Sequence, residues 1–253
     1  MNLLKNWLVS LLNKITILIV TRKFRSDLNS VQLTRLGSAY GGWWIPQEYL
    51  QTIPKKRLLI SAGLGHDVTF DVEMLRAGYK IIGLDPTEDA FTHASRTFLS
   101  NPEVTIIQNG LWTSSGTTKF YKPKVEGYDS FSITNSQNQA DYLQFETITI
   151  GDLFDLYIED NDFETKILKM DIEGAEVHVL TQMLEHGIAF DFVAAEIDYL
   201  SLIPFRDIRR RITAVALVSK LLKKMKSEGY ALVKYEHYNF FWIDGKLPLA
   251  GSN

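Results

Sequence analysis

The stretch Ile167-Leu168-Lys169-Met170-Asp171-Ile172-Glu173-Gly174-Ala175-Glu176 decides how this chain folds. It begins as a short apolar run, places two carboxylates where that run ends, turns on a glycine and continues into a helical pattern. The periodicity predicts a buried strand over 165–170 and a helix over 175–184. A carboxylate at the carboxyl edge of a buried strand is costly unless something binds there. In open α/β sheets, ligands sit beyond that edge.

Working outward, strand and helix signals alternate from residue 57 onward. Strands are expected over 57–62, 80–84, 104–108 and 190–197, and helices over 68–76, 87–99 and 209–227. The last helix is rich in lysine and arginine and reads as a solvated outer face. Shorter strands over 118–121 and 146–150 follow a turn at Ser114-Ser115-Gly116, and a helix is expected over 153–158. Segments 230–235 and 239–243, split by a short turn, form a hairpin that adds an antiparallel edge. The fold class is therefore α/β and Rossmann-like, with a mostly parallel sheet covered on both faces.

The first strand-to-helix turn is Ser61-Ala62-Gly63-Leu64-Gly65-His66-Asp67. Glycines let a backbone approach a ligand and aim amides at it from a helix amino end. A full dinucleotide fingerprint wants a third glycine where Val68 stands, so this loop alone reads equally as a tight turn. Gly83-Leu84-Asp85-Pro86 adds to it, because Asp85 lies 22 residues after Gly63. That is close to the ~20 expected of an acid that holds ribose hydroxyls. Thr87, rather than Asp85, is expected to cap the following helix. The third strand ends in Gln108-Asn109-Gly110-Leu111-Trp112, where an amide can read an adenine edge and a leucine can pack the ring. A plain polar turn explains that piece as well. Upstream, Gly37-Ser38-Ala39-Tyr40-Gly41-Gly42-Trp43-Trp44-Ile45-Pro46 reads as an irregular segment folded against something, either a ligand or the sheet.

The succession LLISAGLGHDVTFD (58–71), IIGLDPTEDAF (81–91), QNGLW (108–112) and ILKMDIEGAEVHVL (167–180) resembles the FkbM-type family of S-adenosylmethionine-dependent methyltransferases. GSAYGGWW (37–44) is similar to the lead-in of some members, and the resemblance covers roughly residues 35 to 245. It implies a seven-stranded Rossmann-like sheet and methyl transfer, usually to oxygen, often a sugar or polyketide hydroxyl. It also implies S-adenosylmethionine as cofactor, with Gly63 and Gly65 on the methionine side and Asp85 at the ribose. Gln108, Asn109, Gly110 and Leu111 would flank the adenine, and Asp171 would lie next to the transfer site. Two positions depart from the pattern. Ser61 stands where many methyltransferases carry an acid for the cofactor amine, a contact that is then lost or moved to Asp67. Asp198 stands where a histidine is expected in many relatives.

An alcohol is a poor nucleophile near neutral pH, so a base or a metal usually assists methyl transfer. The acids at the carboxyl edge are Asp171, Glu173, Glu196 and Asp198. Crowded carboxylates repel unless protonated, bound to a cation or facing a basic group. Either one is a base with a raised pKa, or the cluster holds a hard divalent cation such as magnesium on oxygen ligands. The expected catalytic set is Asp171 nearest the methyl, Glu196 orienting the acceptor, and Glu173, which also reads as a helix-start residue. Glu176 reads as a helix-start residue only, and Asp198 as solvated. His66 and His237 are weaker base candidates.

The 253 residues carry a formal charge of −3 with 45% hydrophobic and 23% charged residues, ordinary globular values. A domain that lives on phosphate contacts would show a basic surplus, so nucleic acid is not an expected partner. No Asn-Pro-Pro-Tyr/Phe motif occurs, which argues against methylating exocyclic amines of bases. The absence of cysteine excludes disulfides, thiolate metal sites and cysteine nucleophiles, and is compatible with the cytoplasm. Residues 2–20 place Leu4, Trp7, Leu8, Leu11, Ile15 and Leu18 on one helical face, with no apolar run near the ~20 residues a span requires. Lys5, Lys14, Arg22, Lys23 and Arg25 precede the first acid, Asp27. This basic amphipathic segment, residues 1–25, packs on its own domain or a partner subunit, or lies on the inner membrane surface. The expected division is an amino-terminal extension over 1–50 and a cofactor-binding domain over 51–253. The expected activity is O-methylation of a sugar, glycan or small-metabolite hydroxyl. Its alternatives are a nicotinamide-dependent oxidoreductase and a membrane-associated binding module with a vestigial pocket.

Overall fold

The computed structural model describes residues 16, 21, 22, 24, 31–51, 56–122, 131–135, 139–158, 163–199, 203 and 207–245. The helix expected over 2–20 lies outside these residues except for Thr16. Seven strands form the main sheet: β3 (Arg57–Ala62), β4 (Lys80–Leu84), β5 (Val104–Ile107), β9 (Thr165–Met170), β10 (Phe192–Glu196), β11 (Tyr230–Glu236) and β12 (Asn239–Asp244). Their order is β11-β12-β10-β9-β3-β4-β5. The pairs from β10 to β5 are parallel, whereas β12 is antiparallel to both β10 and β11. The reversed strand therefore sits one place in from the edge, and edge strand β11 runs with the rest of the sheet.

Strand periodicity sorts the core into two layers. Leu58, Ile60 and Ala62 face one side with Leu168, Met170, Val193, Phe240 and Trp242. That side is covered by α3 (Ile150–Tyr157), α4 (Glu176–Glu185) and α5 (Ile208–Ser227). Leu59, Ile81, Ile167, Phe192, Ala194 and Phe241 face the other side, under α1 (Thr69–Arg76). Much of this second face is covered by the aromatic lead-in. β1 (Leu33–Leu36) pairs with β2 (Trp43–Pro46), and buried Trp43, Ile45 and Tyr49 lie on the sheet, with the Trp43 ring edge-on to Phe241 at 6.1 Å. Beneath them, the buried Arg57 guanidinium donates to the carbonyls of Tyr49, Ala77 and Gln51, while its carbon sits 5.5 Å from the Tyr79 ring centre.

A three-stranded arm of β6 (Gly110–Leu111), β7 (Gly116–Tyr121) and β8 (Tyr142–Ile148) follows α2 (Glu88–Thr97) and β5 in the chain. The strand expected over 146–150 starts earlier and ends at Ile148. Thr149 then caps α3, its hydroxyl accepting the Asp152 amide at 3.0 Å.

Candidate active site

Register places the site. Met170, Ala62 and Leu84 are Cα partners across β9, β3 and β4, while Ile107 pairs with Leu84 and Ala195 with Met170. The next residue on each strand is Asp171, Gly63, Asp85, Gln108 and Glu196. Backbone bonds continue the ladder into that row: Asp171 N–H to Ala62 O at 3.0 Å, Gly63 N–H to Leu84 O at 2.9 Å and Asp85 N–H to Ile107 O at 3.2 Å. The polar ends of separate strands thus arrive side by side. They open onto a cleft of about 520 Å³ lined by Gly63, Gly65, Asp67, Asp85, Asn109, Gly110, Leu111, Asp171 and Glu173, among others.

The two loop glycines serve different purposes. Gly63 has φ +76°, and a Cβ there would stand 1.7 Å from the Asp171 carbonyl oxygen. It permits strand ends β3 and β9 to touch. Gly65 has φ +55° with nothing within 4 Å of where its Cβ would be, so it leaves open space in the cleft. Its N–H donates to Asp85 Oδ2 at 3.0 Å. Asp85 Oδ1 accepts the Thr87 amide at 3.0 Å and the Thr87 hydroxyl at 2.6 Å. This corrects the expected cap: Thr87 spends its hydroxyl on Asp85 and makes no side-chain cap bond to α2. Asp85 is instead a clamp joining the glycine loop to the next turn. A carboxylate has about four lone-pair sites; three are used here, and one on Oδ2 remains for a single ligand hydroxyl.

Asp67 is similarly engaged. Its carboxylate accepts from the Ser38 hydroxyl at 2.5 Å and from the Thr69 amide and hydroxyl at 3.0 and 2.5 Å. Partial burial alone would raise its pKa, but these bonds and one from the Gly41 amide outweigh it and hold the carboxyl below its ordinary range. The bonds fix the turn at 38–41, which presents Tyr40 at the cleft with 94% of its surface exposed. Phe131 and Ile133 also line the cleft. The Ser132 hydroxyl donates to the Glu173 carbonyl at 2.5 Å, tying this segment to the turn after β9.

Lys169 is the residue the sequence reading overlooked. The pattern of strand 165–170 makes it one position in an apolar run, yet it is buried and lines the cleft. Its ammonium donates to Gly63 O at 2.5 Å and lies 5.4 Å from the Trp43 ring centre. A charge inside a buried strand was the available signal. Burial raises the Asp171 pKa and Asp85 adds to it, while Lys169 pulls the other way. Burial, Asp171 and Glu173 push Glu196 up to about 8, again against Lys169. Asp71 on α1 is fully enclosed near the same ammonium and is raised by that burial.

Other expectations need correction. Ser61 is fully buried within β3 and does not line the cleft. Gln108 is exposed and donates to Glu88 at 2.9 Å, so Asn109 rather than Gln108 lines the cleft. Glu196 stands beside the lining residues rather than among them. Glu173 is not in the helix: it precedes α4 and takes a left-handed φ of 56°. Glu176 does open α4, as expected, but it is fully buried there, with Oε1 accepting the Ile172 amide at 2.7 Å. Asp198, read as solvated, is 9% exposed, and burial with Glu176 close by raises its pKa well above the usual range. His66 is exposed at the cleft rim, and His237 lies in the hairpin turn away from it. Among the described residues, no three acids or histidines gather closely enough to hold a metal ion, so the divalent-cation site expected here is not assembled from them.

The cleft has the parts an adenosyl cofactor requires: a clamped acid for a ribose, Asn109 and Leu111 beside it, and open backbone at Gly65. Residues 41–231 match the methyltransferase FkbM domain. Among curated proteins none matches this sequence. Among solved structures, it is similar to the Methanococcus jannaschii fibrillarin pre-rRNA processing protein, at 6% identity and TM-score 0.39, over 87% of this chain and 86% of that one. It is also similar to a methyltransferase from Pyrococcus furiosus, at 11% identity and TM-score 0.35, over 92% and 98% of the two chains. The family match spans three quarters of the sequence and includes every strand end that builds the cleft: this chain belongs to the FkbM family and is an S-adenosylmethionine-dependent methyltransferase.

Proposed function

We propose that this enzyme methylates a hydroxyl oxygen on a neutral acceptor, such as a sugar, glycan or small metabolite, with Asp171 taking the hydroxyl proton. The observation that carries this is the position of Asp171, one residue beyond β9, in the cleft and in the same cross-strand row as Asp85. The bound cofactor supplies an electrophilic methyl group on a sulfonium. Asp85 accepts from the ribose, Asn109 and Leu111 hold the adenine, and the loop at Gly63 and Gly65 receives the methionine portion.

Burial raises the Asp171 pKa above its ordinary value, which makes the carboxylate a stronger base for an alcohol. Lys169 offsets part of that shift and keeps the carboxylate form accessible. Aromatic and apolar side chains at Tyr40, Trp43, Phe131 and Ile133 form the walls and displace water. Asp67, Asp171 and Glu173 around the cleft repel a phosphorylated acceptor, and Lys169 already serves Gly63, which argues against an anionic acceptor.

Incubating the enzyme and methyl donor with glycan and metabolite pools, followed by mass spectrometry, should show one product heavier by CH₂. Asp171→Asn should lose about 10²–10⁴-fold of that turnover, the usual worth of a general base. Calorimetric affinity for S-adenosylmethionine should stay within about threefold, well under 1.4 kcal/mol. Full turnover in the variant would remove Asp171 from the chemistry.

A further inference from the structure

Helix α5 carries seven lysines and arginines and no acid over its 20 residues. The whole chain has 27 basic against 30 acidic residues, so the rest of the molecule is markedly acidic and this helix concentrates the opposite charge. Ala214, Val218, Leu221, Leu222 and Met225 turn inward. At about 100° per residue, the outward residues Ile208, Arg209, Ile212, Ala216, Lys220, Lys223 and Lys226 fall within a sector of roughly 120° on the opposite side. Ile208 and Ile212 are 67% and 65% exposed. Arg210 and Arg211 do not belong to this face, since they donate to the carbonyls of Asn135 and Ile203.

The stripe is ordered along its length, with isoleucines in the first two turns and lysines in the last three. The Arg210 bond to Asn135, at 2.9 Å, ties the isoleucine end to the segment whose Ile133 walls the cleft. Exposed isoleucines cost free energy in water and have no use against a nucleic acid backbone, which asks for cations and stacking rings. A helix face with large aliphatics at one end and lysines at the other suits a lipid surface: the aliphatics enter the acyl boundary and the lysines meet anionic headgroups.

We propose that the outward face of α5 docks this enzyme on an anionic lipid surface, isoleucine end nearest the active-site cleft. The docking face is separate from the catalytic residues and stands whatever the acceptor proves to be. In the full chain, sedimentation with phosphatidylcholine vesicles containing 30% phosphatidylglycerol should bind the protein, and pure phosphatidylcholine vesicles should not. The triple variant Lys220→Glu, Lys223→Glu, Lys226→Glu should lower partitioning more than about tenfold, given the contribution of each lysine near an anionic surface. Ile208→Ser with Ile212→Ser should lower it independently and leave the salt dependence intact. Unchanged S-adenosylmethionine affinity would show that both variants are folded. Four results would overturn the proposal: no vesicle binding by the unaltered chain, equal binding to both vesicle types, undiminished binding by both variants, or preference for duplex RNA over anionic vesicles.

Discussion

Asp85 and Gly63 show how much can rest on single atoms at the strand ends. Asp85 accepts from Gly65 and Thr87 and so shapes the loop before any ligand arrives. Asp85→Ala should weaken S-adenosylmethionine binding by about 1–3 kcal/mol, the cost of unmaking charge-assisted hydrogen bonds. Calorimetry reads that change, and unchanged affinity would displace the ribose from Asp85. Gly63→Ala brings a carbon to within 1.7 Å of the Asp171 carbonyl, a backbone atom that cannot rotate away. It should destabilise the fold by more than about 3 kcal/mol, as severe overpacking does. Gly65→Ala meets no atom, so its cost is limited to the left-handed backbone, about 1–2 kcal/mol. Urea denaturation of the two variants should separate them clearly.

Among the elements, the aromatic lead-in does structural and functional duty together. Trp43 covers the sheet at Phe241, approaches the Lys169 ammonium and lines the cleft. Trp43→Ala should therefore cost about 3–5 kcal/mol in stability, as for other large core truncations. It should also weaken acceptor use, since the same ring forms a wall. A urea midpoint shift accompanied by unchanged KM for the acceptor would confine Trp43 to packing. The Tyr40 turn is held differently, through the Ser38 hydroxyl donating to Asp67, with both the Tyr40 and Gly41 amides donating to that hydroxyl oxygen.

For the molecule as a whole, the buried acids make stability depend on pH in an unusual direction. A carboxyl whose pKa is raised by folding favours the native state while protonated, below the unfolded value near 4.5. That contribution is lost as pH climbs through the folded value. For Glu196 the folded value is about 8, so the loss runs across the interval from about 4.5 to 8. Asp171, Glu176 and Asp198 are shifted in the same direction by burial. The urea midpoint should fall between pH 6 and pH 8.5, and Glu196→Gln, which mimics the neutral carboxyl, should flatten that fall. An identical slope in the variant would show that Glu196 titrates normally.

The alternation of strand and helix was legible in the sequence because buried parallel strands require short apolar runs, and their ends require polar residues. Strands 80–84 and 165–170 were bounded correctly for that reason, and Asp85 and Asp171 stood out as acids where an apolar run should end. Local pattern could not reveal that Lys169 turns into the cleft, that Gln108 turns toward Glu88, or that Glu176 and Asp198 are buried. Those outcomes depend on which neighbours close over a side chain, and the neighbours come from segments scores of residues away. The sequence alone determined the layered α/β frame and the identity of the groups at its carboxyl edge. Only the tertiary structure decided which of them share a cleft, because register across β9, β3 and β4 is set by long-range hydrogen bonding and packing.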